Sequence, residues 1–320
     1  MESFIKVFMM LPYFIPQYGG AELQAYQLAL ALNDRKRCKL SILTLSSNGN
    51  LAFERLKGLS IYRFRSKSTG YEALGSFLSK QGSSYNGFHQ HLIYGADPYK
   101  QLNIGRLAQE HGLWQIVKIT SSEKVSLIKD KQPSSLTLLK NAHAIVAINK
   151  GIAQELLNAN VSPEKIIQIP NGVDTHKFTP ISDKEKKDTR IRLGLPLDKT
   201  VFIFVGRIVK KKGLDFLLQA WGTHEKMNKD TVLLILGDDS ADIQKKQVGR
   251  NLPCYLEYKE LSERLGLNRV FWLGSKSHSD LQTYYQASDC LILPSRNEGS
   301  PNVVLEAMSS GLPIIGTKIP

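Results

Sequence analysis

Two basic residues and two carboxylates stand out by type and spacing. Arg207 and Lys212 lie in Val205-Gly206-Arg207-Ile208-Val209-Lys210-Lys211-Lys212-Gly213, directly after an apolar run. Two fixed cations there can neutralise a diphosphate and stabilise negative charge developing on a leaving group. Glu298 and Glu306 bracket Gly299-Ser300-Pro301-Asn302-Val303-Val304-Leu305. Ser300 reads as an N-cap and Pro301 as a first helical residue. Glu298 then lies ahead of the helix, and Glu306 about two turns into it. Carboxylates accept hydrogen bonds from the vicinal hydroxyls of a ribose or hexose, and the free N–H groups of a helix start suit phosphate. One loop and helix of this kind can hold a sugar, a diphosphate and a ribose. A glycine pair, Gly19-Gly20-Ala21-Glu22, precedes another helix and lets backbone approach a phosphate or a sugar hydroxyl closely. It is not GxGxxG, so the dinucleotide fingerprint is missing. Taken singly, these are a plain turn, a solvated basic loop and two surface glutamates; their order along one chain carries the signal.

The elements that must position them alternate in period. Strands are expected at Lys6–Leu11, Leu40–Leu45, Phe88–Tyr94, Gln115–Ile119, Ala144–Ile148 and Ile166–Ile169, with a helix from Ala21 to Asn33. Pro170-Asn171-Gly172 is a turn, and the polar stretch Thr179–Lys199 reads as a linker. The alternation then restarts. Strands fall at Val201–Val205, Val232–Leu236, Val270–Leu273, Cys290–Leu293 and Pro313–Gly316, with helices at Gly213–Trp221 and Pro301–Ser310. Two successive βα series imply two doubly wound parallel sheets, here assigned to residues 1–180 and 181–320. Ligands of such sheets bind at the carboxyl ends of the strands, and two in tandem frame a cleft.

Composition bounds the possibilities. With 42% hydrophobic and 22% charged residues over 320 positions, the chain is globular rather than disordered. Cys38, Cys254 and Cys290 are odd in number and scattered, which fits free thiols in a reducing cytoplasm and no metal site. No apolar run approaches the ~20 residues of a membrane span, and the N-terminus reads as a first strand rather than a leader. The net charge is +13. Residues 1–175 hold 20 basic and 12 acidic side chains, and the remainder 22 and 17, so the first half is the more basic. Its clusters are Arg35-Lys36-Arg37-Cys38-Lys39 and Arg63, Arg65 and Lys67. The charge comes without a nucleic-acid recognition motif, so no nucleic-acid partner is expected.

In this order, VGRIVKKKG after a strand and NEGSPNVVLEAMSSGLPIIGT strongly resemble retaining glycosyltransferases of family 4. Leu236-Gly237-Asp238 and Val270-Phe271-Trp272-Leu273-Gly274 lie between them, and Ile169-Pro170-Asn171-Gly172-Val173-Asp174 and Gly19-Gly20-Ala21-Glu22 upstream. The resemblance covers nearly the whole chain. It implies the GT-B fold, two Rossmann-like domains facing a cleft, and transfer of a hexosyl group from a nucleotide-diphosphate sugar to an acceptor hydroxyl with retained configuration. By the same resemblance Arg207 and Lys212 grip the donor diphosphate and Glu298 lies near the donor sugar. Glu306 bonds the ribose hydroxyls, Gly20 approaches the phosphates, and Ser300, Pro301 and Asn302 line them through backbone. Gly237 joins the donor-binding set. No metal or other cofactor is expected.

Two departures stand out. Many members carry a histidine after the strand matching Gln115–Ile119, whereas this chain reads Val117-Lys118-Ile119-Thr120-Ser121-Ser122. Lys118, Ser121 or Ser122 then takes the sugar contact, and His89 and His91 lie one strand earlier. The chain also stops at Pro320, where relatives continue through more sheet and a final helix, so the second domain is expected to be a truncated one. The family often works at the cytoplasmic membrane face on glycan or lipid-linked acceptors, in polysaccharide or glycolipid synthesis. Arg35, Lys36, Arg37 and Lys39 are the expected contacts with anionic lipid. A non-catalytic nucleotide-sugar binder and a GT-B epimerase or phosphorylase are the alternatives.

Overall fold

The computed structural model describes residues 4–15, 19–34, 38–46, 52–65, 68–92, 97–131, 133–238 and 254–319. Arg35, Lys36, Arg37 and Lys67 of the basic clusters lie outside the described residues, as does Tyr94. The chain divides into two compact units, residues 1–171 and 172–320.

The first unit is an eight-stranded sheet. Its strands are β1 (Ile5–Leu11), β2 (Cys38–Ser46), β3 (Ala52–Leu56), β4 (Leu59–Arg65), β5 (Gly87–Leu92), β6 (Trp114–Ile119), β7 (Ala144–Ala147) and β8 (Ile166–Gln168), in the order β3-β4-β2-β1-β5-β6-β7-β8. All neighbours run parallel except β3, which pairs antiparallel with β4. That hairpin corrects the expectation of a purely parallel sheet. Its two-residue turn, Lys57-Gly58, has φ of +46° and +80°, the primed geometry whose twist matches the strands. A strand buried on both faces needs consecutive apolar residues. Phe8 and Met10 accordingly pack with Leu74, Leu78 and Ile104 on one side, while Met9 and Leu11 pack with Ala25 and Ala29 on the other. Arg63 is not a free surface cation: it pairs with Glu54 across the hairpin and donates to the Ile15 carbonyl.

The second unit is a five-stranded parallel sheet. It comprises β9 (Thr200–Val205), β10 (Thr231–Leu236), β11 (Val270–Gly274), β12 (Cys290–Leu293) and β13 (Ile314–Gly316), in the order β11-β10-β9-β12-β13. The direction of winding reverses between β9 and β12, and it is at the carboxyl ends of two such strands that doubly wound sheets place their ligand crevice. Phe204, Leu233 and Ile235 pack on Leu214, Leu218 and Trp221 on one face; Ile203, Leu234 and Leu291 pack with Tyr285 and Phe178 on the other.

Two sequence expectations change here. The division falls at 171/172 rather than 180/181, because the segment after Asn171 carries Phe178 into the core of the second unit. Nor is the stretch 179–199 a linker. It holds a helix, Asp183–Leu193, closed by a capping box in which the Ser182 N–H donates to Glu185 Oε2 at 2.9 Å and Glu185 N–H to Ser182 Oγ at 3.3 Å. Of its two apolar side chains, Leu193 packs against the core and Ile191 is exposed, so the helix has little apolar surface to dock with. It is held by charge instead: Asp289 accepts from Lys186 and Arg190, both at 2.6 Å, and from the Val201 N–H at 2.7 Å. Arg190 also donates to the carbonyls of Ala287 and Lys199. Burial alone would raise the Asp289 carboxyl, yet the bonds from Lys186, Val201 and Arg190 hold it below the ordinary aspartate value. Removing the acceptor leaves the buried Arg190 guanidinium without its counter-charge. Asp289→Ala is therefore expected to cost about 2–3 kcal/mol in urea unfolding, and Asp183→Ala, which has no such partner set, much less.

Candidate functional site

The crevice between β9 and β12 is built by backbone before any side chain enters it. After β9 the chain passes through a short 3-10 turn, Lys210–Lys212, and reaches Gly213 at φ +69°. A Cβ on Gly213 would sit 1.9 Å from the Pro294 carbonyl oxygen, so only glycine lets the β9 loop lie against the segment that leaves β12. Arg296 ties the two together. Its N–H donates to the Lys211 carbonyl at 2.8 Å, its guanidinium grips both Asp215 oxygens at 2.8 and 2.6 Å, and it lies 3.9 Å over the Phe216 ring. The Arg296 bond holds the Asp215 carboxyl below its ordinary range.

That clamp brings Lys212 and Glu298 together. Their ammonium and carboxylate form a salt bridge with side chains only 14% and 11% exposed, and Ser295 Oγ donates to the same Glu298 oxygen at 2.6 Å. Burial pushes the Lys212 ammonium down, and Glu298 opposes that shift. Arg207 stays exposed on the same loop, near enough for its charge to act on Lys212. Gly237 belongs to the frame. A Cβ there would lie 1.8 Å from the Gly206 carbonyl oxygen, and the Ile208 N–H bonds the Asp238 carbonyl at 2.9 Å.

Glu306 sits on the helix Asn302–Ser309 and is buried. The helix starts one residue later than expected. Pro301, with ψ at 107°, holds the cap position instead of Ser300, and no side chain closes it. Ser300, Pro301 and Asn302 are half-buried. Glu306 Oε1 lies 2.9 Å from His278 Nε2, and Oε2 accepts from the Tyr285 hydroxyl at 3.0 Å. The sequence pattern did not single out these two partners. Their signal is the seven-residue spacing in His278–Ala287, which puts them on one helix face two turns apart.

The first unit holds the remaining predicted residues. Gly20 opens the helix Gly20–Asp34, whose N-terminus is closed by Glu22 accepting from the Gly19 N–H at 2.8 Å. Glu22 thus has a capping role. His91 and Lys118 are partners in register on β5 and β6, and His89 lies two residues before His91 with the two rings 4.7 Å apart. Lys118 Nζ donates to Asn171 Oδ1 at 3.1 Å. Among the described residues, the buried nitrogens His89 Nε2, His91 Nδ1 and His91 Nε2 have no hydrogen-bond partner. Ser121, half-buried, precedes the helix Ser122–Lys131 and accepts through its carbonyl from the Lys124 N–H at 3.2 Å. Burial pushes the Lys118 ammonium down to about 8. Among the described residues no group of three or more His, Cys, Asp or Glu could hold a metal ion, and no helix is long and apolar enough to cross a membrane.

The family "Glycosyltransferase Family 4" matches residues 18–177, and "Glycosyl transferases group 1" matches residues 185–320. A D-inositol 3-phosphate glycosyltransferase of Corynebacterium urealyticum is 37% identical over 261 residues, 76% of this chain and 58% of that protein. The enzyme of the same name from Corynebacterium kroppenstedtii is 27% identical over 257 residues, 76% and 54% respectively. The chain thus spans little more than half the length of these relatives. Anabaena HepE, solved in complex with UDP and glucose, superposes with a TM-score of 0.76 at 18% identity, covering 98% of this chain and 81% of that one, and so shares the GT-B fold.

The histidine pair makes the first unit acid-sensitive. Burial, then the Lys118 charge, lowers His89 to about 4, and His91 moves the same way. Below pH ~6.5 the unfolded chain binds a proton that the native His89 refuses, and the loss of stability is complete only near pH ~4. Thermal unfolding between those pH values should show a progressive loss of about 3 kcal/mol from His89. His89→Leu should flatten that part of the profile.

Proposed function

The chain belongs to Glycosyltransferase Family 4, and from that premise we propose that it transfers a hexosyl group from a nucleotide-diphosphate sugar to an acceptor hydroxyl with retained anomeric configuration. The observation that carries this reading is the half-buried Lys212–Glu298 pair at the switch in winding between β9 and β12, with a buried carboxylate, Glu306, on the helix that follows. A leaving nucleoside diphosphate carries concentrated negative charge. Lys212, fixed and largely desolvated, and Arg207 beside it stabilise that charge without reorganising at the moment of reaction. Glu298 faces the donor sugar, Glu306 takes the ribose hydroxyls, and the half-buried backbone of Ser300 to Asn302 lies against the phosphates. Gly237 keeps the β9 and β10 ends close enough to frame them. The acceptor proton passes to a phosphate oxygen of the departing diphosphate on the same face of the sugar.

Two cations fill the electrostatic role that a divalent metal fills elsewhere, so the reaction proceeds without a metal cofactor. The first unit takes the acceptor, a glycan or a lipid-linked one, with His91, Lys118 and Ser121 as sugar or acceptor contacts, while Gly20 belongs to the donor-binding set. Work of this kind, in polysaccharide or glycolipid synthesis, is done in the cytoplasm at the inner face of the membrane, which the +13 net charge favours. The names of the Corynebacterium relatives support the reaction class.

Two measurements test the reading. Lys212→Ala should lower turnover by about a hundredfold or more while leaving the far-UV circular dichroism unchanged; near-normal turnover removes Lys212 from the site. A thermal-shift panel of uridine, guanosine and adenosine diphosphates and their sugar conjugates should give a selective rise that Glu306→Ala abolishes. At a hundred times its dissociation constant the ligand adds about 2.7 kcal/mol.

A further inference from the structure

Glu306 does not stand alone. Lys177 Nζ donates to the His278 carbonyl at 2.7 Å and lies 3.0 Å from His278 Nδ1. An ammonium has protons only to give, so Nδ1 accepts and the ring hydrogen resides on Nε2. That hydrogen points at Glu306 Oε1, 2.9 Å away, while the fully buried Tyr285 hydroxyl donates to Oε2 at 3.0 Å. The Phe178 ring packs edge-on against both the His278 and the Tyr285 rings, at 5.4 and 5.9 Å, which leaves the imidazole little room to turn. Each carboxylate oxygen has therefore received one donor and keeps a second lone pair.

We infer that Lys177, His278 and Tyr285 are positioning residues that aim the Glu306 carboxylate, so that its remaining lone pairs accept the two hydroxyls of a ribose. The inference rests on the ribose reading of Glu306 given above. A free glutamate side chain loses rotamer freedom when it binds, and this one has lost it already. The arrangement also selects. A buried carboxylate built to accept a diol is left with unanswered lone pairs by a nucleotide that lacks the diol, so the chain discriminates ribonucleotides from their deoxy counterparts. Lys177 acts at one remove, by fixing which nitrogen of His278 holds the proton.

The test is calorimetric titration of the 320-residue chain with UDP, GDP and ADP and with the corresponding 2′,3′-dideoxynucleoside diphosphates. The wild type should prefer the ribonucleotide it binds by about tenfold or more. His278→Phe keeps a ring against Phe178 but removes the donor, and should bring that preference below about threefold. His278→Gln, whose amide nitrogen can occupy the place of Nε2, should restore most of it, and Lys177→Met should lower it. A purely structural role would weaken both nucleotides alike and leave the preference unchanged; that result in His278→Phe and Lys177→Met overturns the inference while the ribose reading survives. A wild type that binds both forms equally overturns the ribose reading itself, and the inference with it. Nitrogen-15 spectra of the wild-type histidines give a check that needs no folded variant. A His278 ring protonated on Nδ1 alone contradicts the assignment.

Discussion

A buried ammonium is costly unless a counter-charge is fixed beside it, and the second unit is organised around meeting that condition for Lys212. Glu298 supplies the charge, but Lys212 and Glu298 reach the crevice on different loops, one leaving β9 and the other leaving β12. The two loops must therefore be held in register by something other than the pair itself. Gly213 permits backbone contact with Pro294, and Arg296 bridges to Lys211 and Asp215. Ser295 adds a neutral donor to the carboxylate. The salt bridge is the last contact of the set rather than its cause. On the reading proposed above, a diphosphate entering beside it meets a cation whose position is already fixed, which is the condition under which electrostatic stabilisation is strongest.

Glu306 follows the same logic with the charges exchanged. A carboxylate out of water needs donors, and it has one on each oxygen. The two sites differ in where the support comes from. Lys212 is framed by loop backbone at the switch in winding, whereas Glu306 is framed by side chains of one helix face and by the strap that carries Lys177 and Phe178. That strap lies within the second unit, and so the segment after Asn171 supports Glu306.

How much of this was legible depends on whether the signal was local. The parallel strands were, because burial on both faces demands uninterrupted apolar runs, and β9, β10 and β12 fall where Val201–Val205, Val232–Leu236 and Cys290–Leu293 announce them. The β3–β4 hairpin was not, because its turn is Lys57-Gly58 instead of Asn-Gly or Asp-Gly, and a lysine at φ +46° leaves no mark in the sequence. The helix Asp183–Leu193 reads as a linker in the sequence for a related reason. Nearly every side chain in it is polar, and the force that docks it comes from Asp289, about a hundred residues away. At the site, Arg207, Lys212, Glu298 and Glu306 could be named because their motifs are contiguous. Tyr285, His278, Lys177 and Arg296 could not, since each matters only through a partner distant in the chain.

The basic character of the first unit takes on a different meaning once partners are seen. Arg63 is committed to Glu54 and to a backbone carbonyl, and Lys118 is committed to Asn171. Neither is a free surface charge, and in Lys118 desolvation has lowered the affinity for its own proton. A side chain in that state answers to local chemistry more than to the long-range field that net charge describes. Beside it stand two imidazoles, of which His89 Nε2 and both His91 nitrogens have no partner among the described residues, on the strand next to the change in winding of the first sheet. Counting charge along the sequence treats Arg63 and Lys118 as equal to an exposed residue such as Lys39. Burial and pairing separate them, and at the carboxyl ends of β5 and β6 the unpartnered imidazole nitrogens give that set the means to recognise a ligand, because a new hydrogen bond to them would replace none already made among the described residues.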